Sequence, residues 1–212
     1  MKKILIIGAN GFTGRQILND LSVHTQYKVT GCSLHPDILP NDAGKYRFIE
    51  TDIRNEADIK RLFEEVQPDV VINCSALSVP DYCETHHEEA YLTNVTAVSQ
   101  LAVFCEEYKS RFIHLSTDFV FDGKMFVFDE KINEDAGLLY TEEDIPAPVN
   151  YYGYTKWKGE EKVAEICSNY AIARVEIVYG KALPGQHGNG PVGHGRAGEC
   201  ERFGLDDGPI LL

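Results

Sequence analysis

The sequence has 212 residues and no apolar run approaching the roughly 20 residues that cross a bilayer. It also lacks any Lys/Arg-rich stretch and any Cys-x-x-C spacing. Each absence excludes a class of function. Met1-Lys2-Lys3 followed by Ile4-Leu5-Ile6-Ile7-Gly8 is too short for a secretory signal and runs straight into a glycine turn. It reads as a buried first strand of a cytoplasmic protein, with no membrane partner expected. A formal charge of −13 without clustered positive charge excludes a nucleic-acid surface, which works by displacing counterions from phosphates. An anionic small molecule stays compatible, because backbone N–H groups at a helix start hold a pyrophosphate without basic side chains. Cys32, Cys74, Cys83, Cys105, Cys167 and Cys200 read as free thiols, several of them in the core, rather than as disulfides or a zinc site.

What is present is an alternation of apolar β-type runs with helix-type stretches, the pattern of a parallel sheet covered on both faces. Expected strands are Ile4–Ile7, Lys28–Cys32, Arg47–Glu50, Val70–Cys74, Arg111–Leu115 and Ala171–Val178. Expected helices are Gly14–Leu21, Glu56–Val66, a long one near Glu88–Tyr108, and Gly153–Cys167. The fold class is therefore α/β, a doubly wound parallel sheet of the dinucleotide-binding type. Two segments break the rhythm. Phe119–Met125 and Phe126–Ile132 look like a seven-residue tandem duplication within a loop, with chance similarity in a lid-like insertion as the alternative. From Gly185 onward the chain carries eight glycines in 28 residues and no period. The expected organisation is a nucleotide-binding domain over 1–184 and an irregular tail over 185–212. That tail is either flexible or a truncated or frame-altered end standing in for a second lobe.

Gly8-Ala9-Asn10-Gly11-Phe12-Thr13-Gly14 lies between the first strand and the first helix. Glycines there permit a tight turn, let backbone approach a pyrophosphate, and allow close helix–strand packing. The helix start adds unpaired N–H groups and the positive end of its dipole. The Gly-x-x-Gly-x-x-Gly spacing resembles the short-chain dehydrogenase/reductase superfamily. An acid at the end of the second strand would hold ribose hydroxyls and repel a 2′-phosphate. Here Ser33 and His35 stand at that point and no acid appears before Asp37, so the reading leans slightly to NADP(H) over NAD(H). No arginine stands there to clamp a phosphate. Asp52, after the third strand, reads either as an adenine-side residue beside Ile53 or as a cap before Arg54-Asn55-Glu56.

Tyr152 and Lys156, at i and i+4, share one helix face. An ammonium near a phenol favours the phenolate, lowering its ionisation from near 10 toward working pH. Such a tyrosine can give a proton to a carbonyl oxygen as hydride reaches carbon. Thr117, in Ser116-Thr117-Asp118 at the end of strand five, is placed where open α/β sheets bind ligands. It could hydrogen-bond the same oxygen, unless Ser116 and Thr117 merely cap the strand.

Ser116-Thr117-Asp118-Phe119-Val120-Phe121-Asp122-Gly123 followed by Asn150-Tyr151-Tyr152-Gly153-Tyr154-Thr155-Lys156 resembles the dTDP-4-dehydrorhamnose reductase family of extended short-chain dehydrogenases. The likeness runs from residue 1 to about 184. It implies that Thr117, Tyr152 and Lys156 are catalytic, with Tyr152 and Lys156 also meeting the cofactor. It further implies that Gly8, Gly11, Phe12, Thr13, Asp52 and Ile53 line the cofactor, together with Cys74, Ser75 and Ala76 of the fourth-strand motif; Asn10 and Gly14 of the turn and Ser33 and His35 after the second strand are expected beside them. Asn94 corresponds to the family's asparagine on the following long helix. The implied reaction is NAD(P)H-dependent reduction of a nucleotide-activated 4-keto sugar.

Phe119 stands where sugar dehydratases of the superfamily carry a glutamate, which argues for reduction rather than loss of water. Ile177 stands where the reductases usually place a substrate-contacting tryptophan, and nothing after Pro184 matches the family's substrate lobe. Two alternatives follow. One is a non-catalytic regulatory subunit like the β subunit of methionine adenosyltransferase, and the other is a nucleotide-sugar epimerase. A homodimer is left open. Asp81–Glu88 holds metal-ligand residue types, but adjacent histidines point to different sides of a helix, so no metal is expected.

Overall fold

The computed structural model describes residues 1–38, 44–123, 140–176 and 178. The tail over 185–212, most of the suspected duplication and position 177 lie outside the described residues.

Six strands form one sheet: β1 (Lys2–Ile7), β2 (Tyr27–Ser33), β3 (Arg47–Glu50), β4 (Val70–Asn73), β5 (Arg111–Thr117) and β6 (Tyr170–Val175). They lie in the order β3-β2-β1-β4-β5-β6, with every neighbouring pair parallel. This is the doubly wound dinucleotide-binding architecture expected from the sequence. Because all strands run one way, their carboxyl ends share one edge of the sheet. The chain reverses direction across the sheet between β1 and β4, where such folds open a crevice.

Alternate residues of the central strands feed two cores. Leu5, Ile7, Val71 and Phe112 join one cluster with Ile59, Leu62 and Phe63, while Ile4, Ile6, Val29 and Ile72 join another with Leu18. The period-2 geometry of a strand divides them between the faces. Helix α1 (Phe12–Ser22) covers the second cluster through Leu18. Helix α2 (Glu56–Val66) starts where the Asn55 side chain accepts from the Ala57 N–H, and Glu56 and Asp58 add negative charge in its first turn. It buries Ile59, Leu62, Phe63 and Val66, which follow the three- and four-residue offsets of one face. Each such side chain contributes about 1.5–3 kcal/mol.

The long helix expected near Glu88–Tyr108 is present with a change of pitch. After a short α3 (Pro80–Thr85), α4 (His87–Tyr91) passes into one π-helical turn (Leu92–Thr96) and then α5 (Ala97–Glu107). Such turns widen a helix locally and often sit at functional sites. Here the turn presents the buried side chain of Asn94. Strand β5 runs two residues beyond the expected Leu115, because Ser116 and Thr117 pair with Arg174 and Val175. Strand β6 stops at Val175, earlier than expected, because β5 offers no partner past Thr117. Helix α6 (Tyr151–Ile166) is capped by the Asn150 side chain, which accepts from the Gly153 N–H at 2.7 Å. The Tyr151 N–H donates to Glu84 of α3 at 2.5 Å, tying the two helix starts together.

Among the described residues no helix is long and apolar enough to cross a membrane. Cys32, Cys74, Cys83, Cys105 and Cys167 are free thiols, four of them buried.

Candidate active site

The turn after β1 is built by close approach. Gly8 has φ +78°, and a Cβ there would lie 2.8 Å from the Ser75 nitrogen. A Cβ on Gly14 would lie 2.3 Å from the Gly8 oxygen. The Gly8 and Ala9 N–H groups donate to the Cys32 carbonyl, each at 2.9 Å, so the turn is hung from the end of β2. Helix α1 begins at Gly11 with no side-chain cap. The turn is thus a backbone cradle with the uncapped, positive end of a helix behind it, which suits a pyrophosphate.

At the β2 end, the structure gathers residues that look unrelated in sequence. Arg15 of α1 is fully buried. Its guanidinium donates to Asp37 at 2.6 Å, Asn10 at 2.8 Å and the Tyr46 hydroxyl at 3.0 Å. The Tyr46 hydroxyl in turn donates to Asp37 at 2.9 Å. The Asn10 amide donates to the His35 and Pro36 carbonyls at 3.1 and 2.8 Å. Asn10 therefore pins the loop after β2 onto the glycine turn. The sequence reading found no arginine at this point; the fold brings one in from α1, and Asp37 holds it. A signal was available: Arg15 lies three residues before Leu18, on the face α1 buries.

Asp52 is engaged by Arg54, whose Nε and Nη2 donate to its two oxygens at 2.8–3.2 Å. These hydrogen bonds hold the carboxyl below its usual range. Ile53 has its side chain in the core. Ser33 closes β2, accepting the Thr51 N–H on its carbonyl.

At the carboxyl end of β5, the hydroxyl of Thr117 donates to Asp118 at 3.0 Å and accepts from the Phe119 N–H at 3.2 Å, with the Tyr152 phenol beside it. Phe119 packs edge-on to the Tyr152 ring at 5.9 Å. Gly153 lets α6 press on this corner: a Cβ there would meet the Phe119 oxygen at 2.1 Å. Burial pushes the Tyr152 phenol up to about 12, with the neighbouring Thr117 hydroxyl working against it. The expectation that Lys156 would bring this phenol toward working pH is corrected here. The Lys156 amine turns to the Leu115 carbonyl at 2.7 Å and to His114 Nε2 at 3.4 Å. Lys156 is buried, and burial lowers its ionisation to about 8, opposed by Glu160.

Cys74, Ser75 and Ala76 follow β4 beside the glycine turn. The Ser75 N–H and hydroxyl both donate to Asn73 Oδ1, at 3.1 and 2.6 Å. Asn94 is fully buried and its amide is committed to structure. It accepts from the Leu77 N–H at 2.8 Å and donates to the Leu77 carbonyl and the Thr155 hydroxyl, each at 3.0 Å. It joins the segment after β4 to α6. His86 and His87 turn to different rings, His86 onto Tyr82 at 3.7 Å and His87 onto Tyr151 at 3.8 Å.

Next to Thr117, a cavity of about 510 Å³ is lined by Asp118, Phe119, Tyr140, Asn150 and Arg174, among others. Its mix of aromatic rings and hydrogen-bonding groups suits a polar ring-shaped ligand.

The profile of the family described as "RmlD substrate binding domain" matches residues 1–191. The chain belongs to that family. Within it, the probable low-salt glycan biosynthesis reductase Agl14 of Haloferax volcanii is 33% identical over 184 residues, covering 82% of this chain and 53% of that protein. Methionine adenosyltransferase 2 subunit beta of Xenopus laevis is 32% identical over 179 residues, covering 84% of this chain and 48% of that protein. Among solved structures, dTDP-4-dehydrorhamnose reductase from Bacillus anthracis in complex with NADP superposes with a TM-score of 0.65 at 28% identity, covering 86% of this chain and 56% of that one. The chain spans about half the length of the curated relatives it matches.

Proposed function

We propose that this chain is the cofactor-binding and proton-delivering part of an NAD(P)H-dependent reductase of a nucleotide-activated 4-keto sugar. The observation that carries the reading is the Thr117–Tyr152 pair, at the same sheet edge as the glycine cradle. A nicotinamide dinucleotide fits the cradle, because Gly8 and Gly14 leave the surface bare of side chains and α1 starts uncapped. When bound, it would supply hydride to the carbonyl carbon of the sugar.

The chain's own residues account for the rest. Backbone N–H groups of Phe12, Thr13 and Gly14 hold the pyrophosphate, with Cys74, Ser75 and Ala76 on the opposite wall. Ser33, His35 and Asp52 border the adenosine end. Thr117 Oγ1 steadies the substrate oxygen, and Tyr152 Oη donates the proton that neutralises the alkoxide. A phenol held near 12 keeps its proton at working pH, as an acid in this direction must. Lys156, one turn along α6 from Tyr152, meets the nicotinamide ribose. The small nucleotide-sugar substrate and the cytoplasm, where such compounds are made, complete the reading.

Titration calorimetry of NADPH and NADH tests the first half; one of them binds one-to-one. Tyr152→Phe then retains that binding and loses reduction of a dTDP-4-keto-6-deoxy sugar by about 10²–10⁴-fold. Equal turnover by the variant sinks the assignment. A second reading is favoured by the 32% identity to the methionine adenosyltransferase 2 subunit beta. Under it the chain binds a dinucleotide, reduces nothing and co-purifies with a methionine adenosyltransferase catalytic subunit.

A further inference from the structure

Four polar groups run in a line beneath the proposed site. The Ser75 N–H and hydroxyl both donate to Asn73 Oδ1. That leaves the Asn73 amide nitrogen, a donor only, facing His114 Nδ1 at 3.1 Å. An imidazole nitrogen that accepts carries no proton, so the proton of neutral His114 sits on Nε2. Nε2 faces the Lys156 nitrogen at 3.4 Å, a long contact, while that amine donates to the Leu115 carbonyl at 2.7 Å. Asn73 and His114 are fully buried and Lys156 nearly so, which leaves little room for solvent to reverse the order.

An N–H directed at an amine nitrogen has an acceptor only when that amine is neutral, since an ammonium has no lone pair. We infer that His114 is a positioning residue, locked by Asn73 as the Nε2–H tautomer, which favours the neutral amine of Lys156 and so couples the charge of that lysine to the segment after β4. The donors then follow one another from Ser75 through Asn73 and His114 to Lys156 and the Leu115 carbonyl. Chains of this kind polarise and reinforce one another in a low-dielectric interior.

The charged and titratable groups facing Lys156 divide between the two forms. Glu160, on the same helix, favours the ammonium, although Arg174 draws off its carboxylate at 2.7–3.2 Å. The Cys74 thiol is pushed up to about 12 by burial and stays neutral. His114 is pushed well below its usual range, first by burial and then by Lys156 itself, so it remains a neutral imidazole. In the proposed reduction, on which the functional meaning rests, the lysine's charge would be set partly from Ser75, a residue on the cofactor wall.

The test needs no turnover. In the chain labelled with ¹⁵N-histidine and ¹³C-lysine, nuclear magnetic resonance follows the His114 ring nitrogens and Lys156 Cε across pH 5–10, an experimental range of about five units centred near physiological pH. The expected result is an unprotonated Nδ1 and a protonated Nε2 throughout, with the Nε2 shift moving as Lys156 titrates. Asn73→Asp reverses the order, because a carboxylate can only accept from Nδ1–H and so hands Nε2 to the lysine as an acceptor. The lysine then holds its proton more tightly, by about tenfold or more in its ionisation constant. A proton on Nδ1 in the unmodified chain overturns the inference, and so does an Nε2 shift that stays flat through the lysine transition. An unmoved lysine in a folded Asn73→Asp variant does the same. If that variant does not fold, the unmodified chain decides. Failure of the reductase reading would instead appear as absent dinucleotide binding in the calorimetry, leaving these spectra unaffected.

Discussion

The two ends of the candidate site are built by opposite means. At the glycine turn, the surface is shaped by side chains that are missing: backbone meets backbone at Gly8, Ser75 and Gly14, and α1 starts without a side-chain cap. At the β5–α6 corner it rests on buried polar side chains, Asn73, Asn94, His114, Thr117, Lys156 and Glu160, each held by named partners. Shape governs the first end. At the second, hydrogen-bond satisfaction governs, because an unpaired polar group in the interior costs about 1–3 kcal/mol. Substitutions should therefore fail for different reasons at the two ends.

The largest effect is expected at the turn. Gly8→Ala forces a Cβ to within 2.8 Å of the Ser75 backbone at φ +78°. Strain and collision together cost about 4 kcal/mol, read as a fall in the urea midpoint, with dinucleotide binding lost. Gly44→Ala sharpens the point: φ is +57° but a Cβ meets nothing within 4 Å. The cost there is only about 1 kcal/mol, so equal losses would show that backbone angle rather than contact decides this end.

At the other end, Arg174→Met removes the partner of the buried Glu160 carboxylate, which it holds through three contacts of 2.7–3.2 Å. Stranding that charge costs about 3 kcal/mol. A variant as stable as the parent would mean Lys156 takes over the pairing. Asn94→Ala leaves the Leu77 backbone and the Thr155 hydroxyl without their partner, at about 2 kcal/mol, and calorimetric melting should register it. If dinucleotide binding fell while stability held, Asn94 would belong to the cofactor site rather than to the frame around it.

The smallest effect lies outside both ends. Glu106 accepts from the Ser168 N–H and hydroxyl at 2.9 and 2.8 Å and pairs with Lys109 at 3.2 Å. Those hydrogen bonds, with Lys109 adding to them, lower its carboxyl from the ordinary 4.5 to about 2. The folded value lies below the unfolded one, so the stabilisation is full above about pH 5 and fades as pH falls from 4.5 toward 2. Glu106→Gln should therefore be slightly less stable than the parent at pH 7 and match it near pH 2. A pH-independent gap would point to geometry rather than ionisation.

Much of this was readable in residue order. The six strands, the exact span Glu56–Val66 and the position of the glycine turn follow from local periodicity and turn chemistry, which neighbours in sequence express. The errors were non-local. Strand β6 ends at Val175 because β5 ends at Thr117, and a ladder needs both strands. The π turn at Leu92–Thr96 has no signature in local order, because the partners of buried Asn94, Leu77 and Thr155, lie 17 and 61 residues away.

What the sequence alone determined, then, was the doubly wound sheet, with Gly8 and Thr117 at the carboxyl ends of its strands and Tyr152 and Lys156 on one helix. Strand order and side-chain period follow from local pattern. Only the tertiary structure decided how those groups are charged and aimed: Arg15 on Asp37, Lys156 on His114, and a Tyr152 phenol raised by burial. Ionisation and hydrogen-bond direction depend on dielectric and on partners brought together across tens of residues, and neither is written in local order.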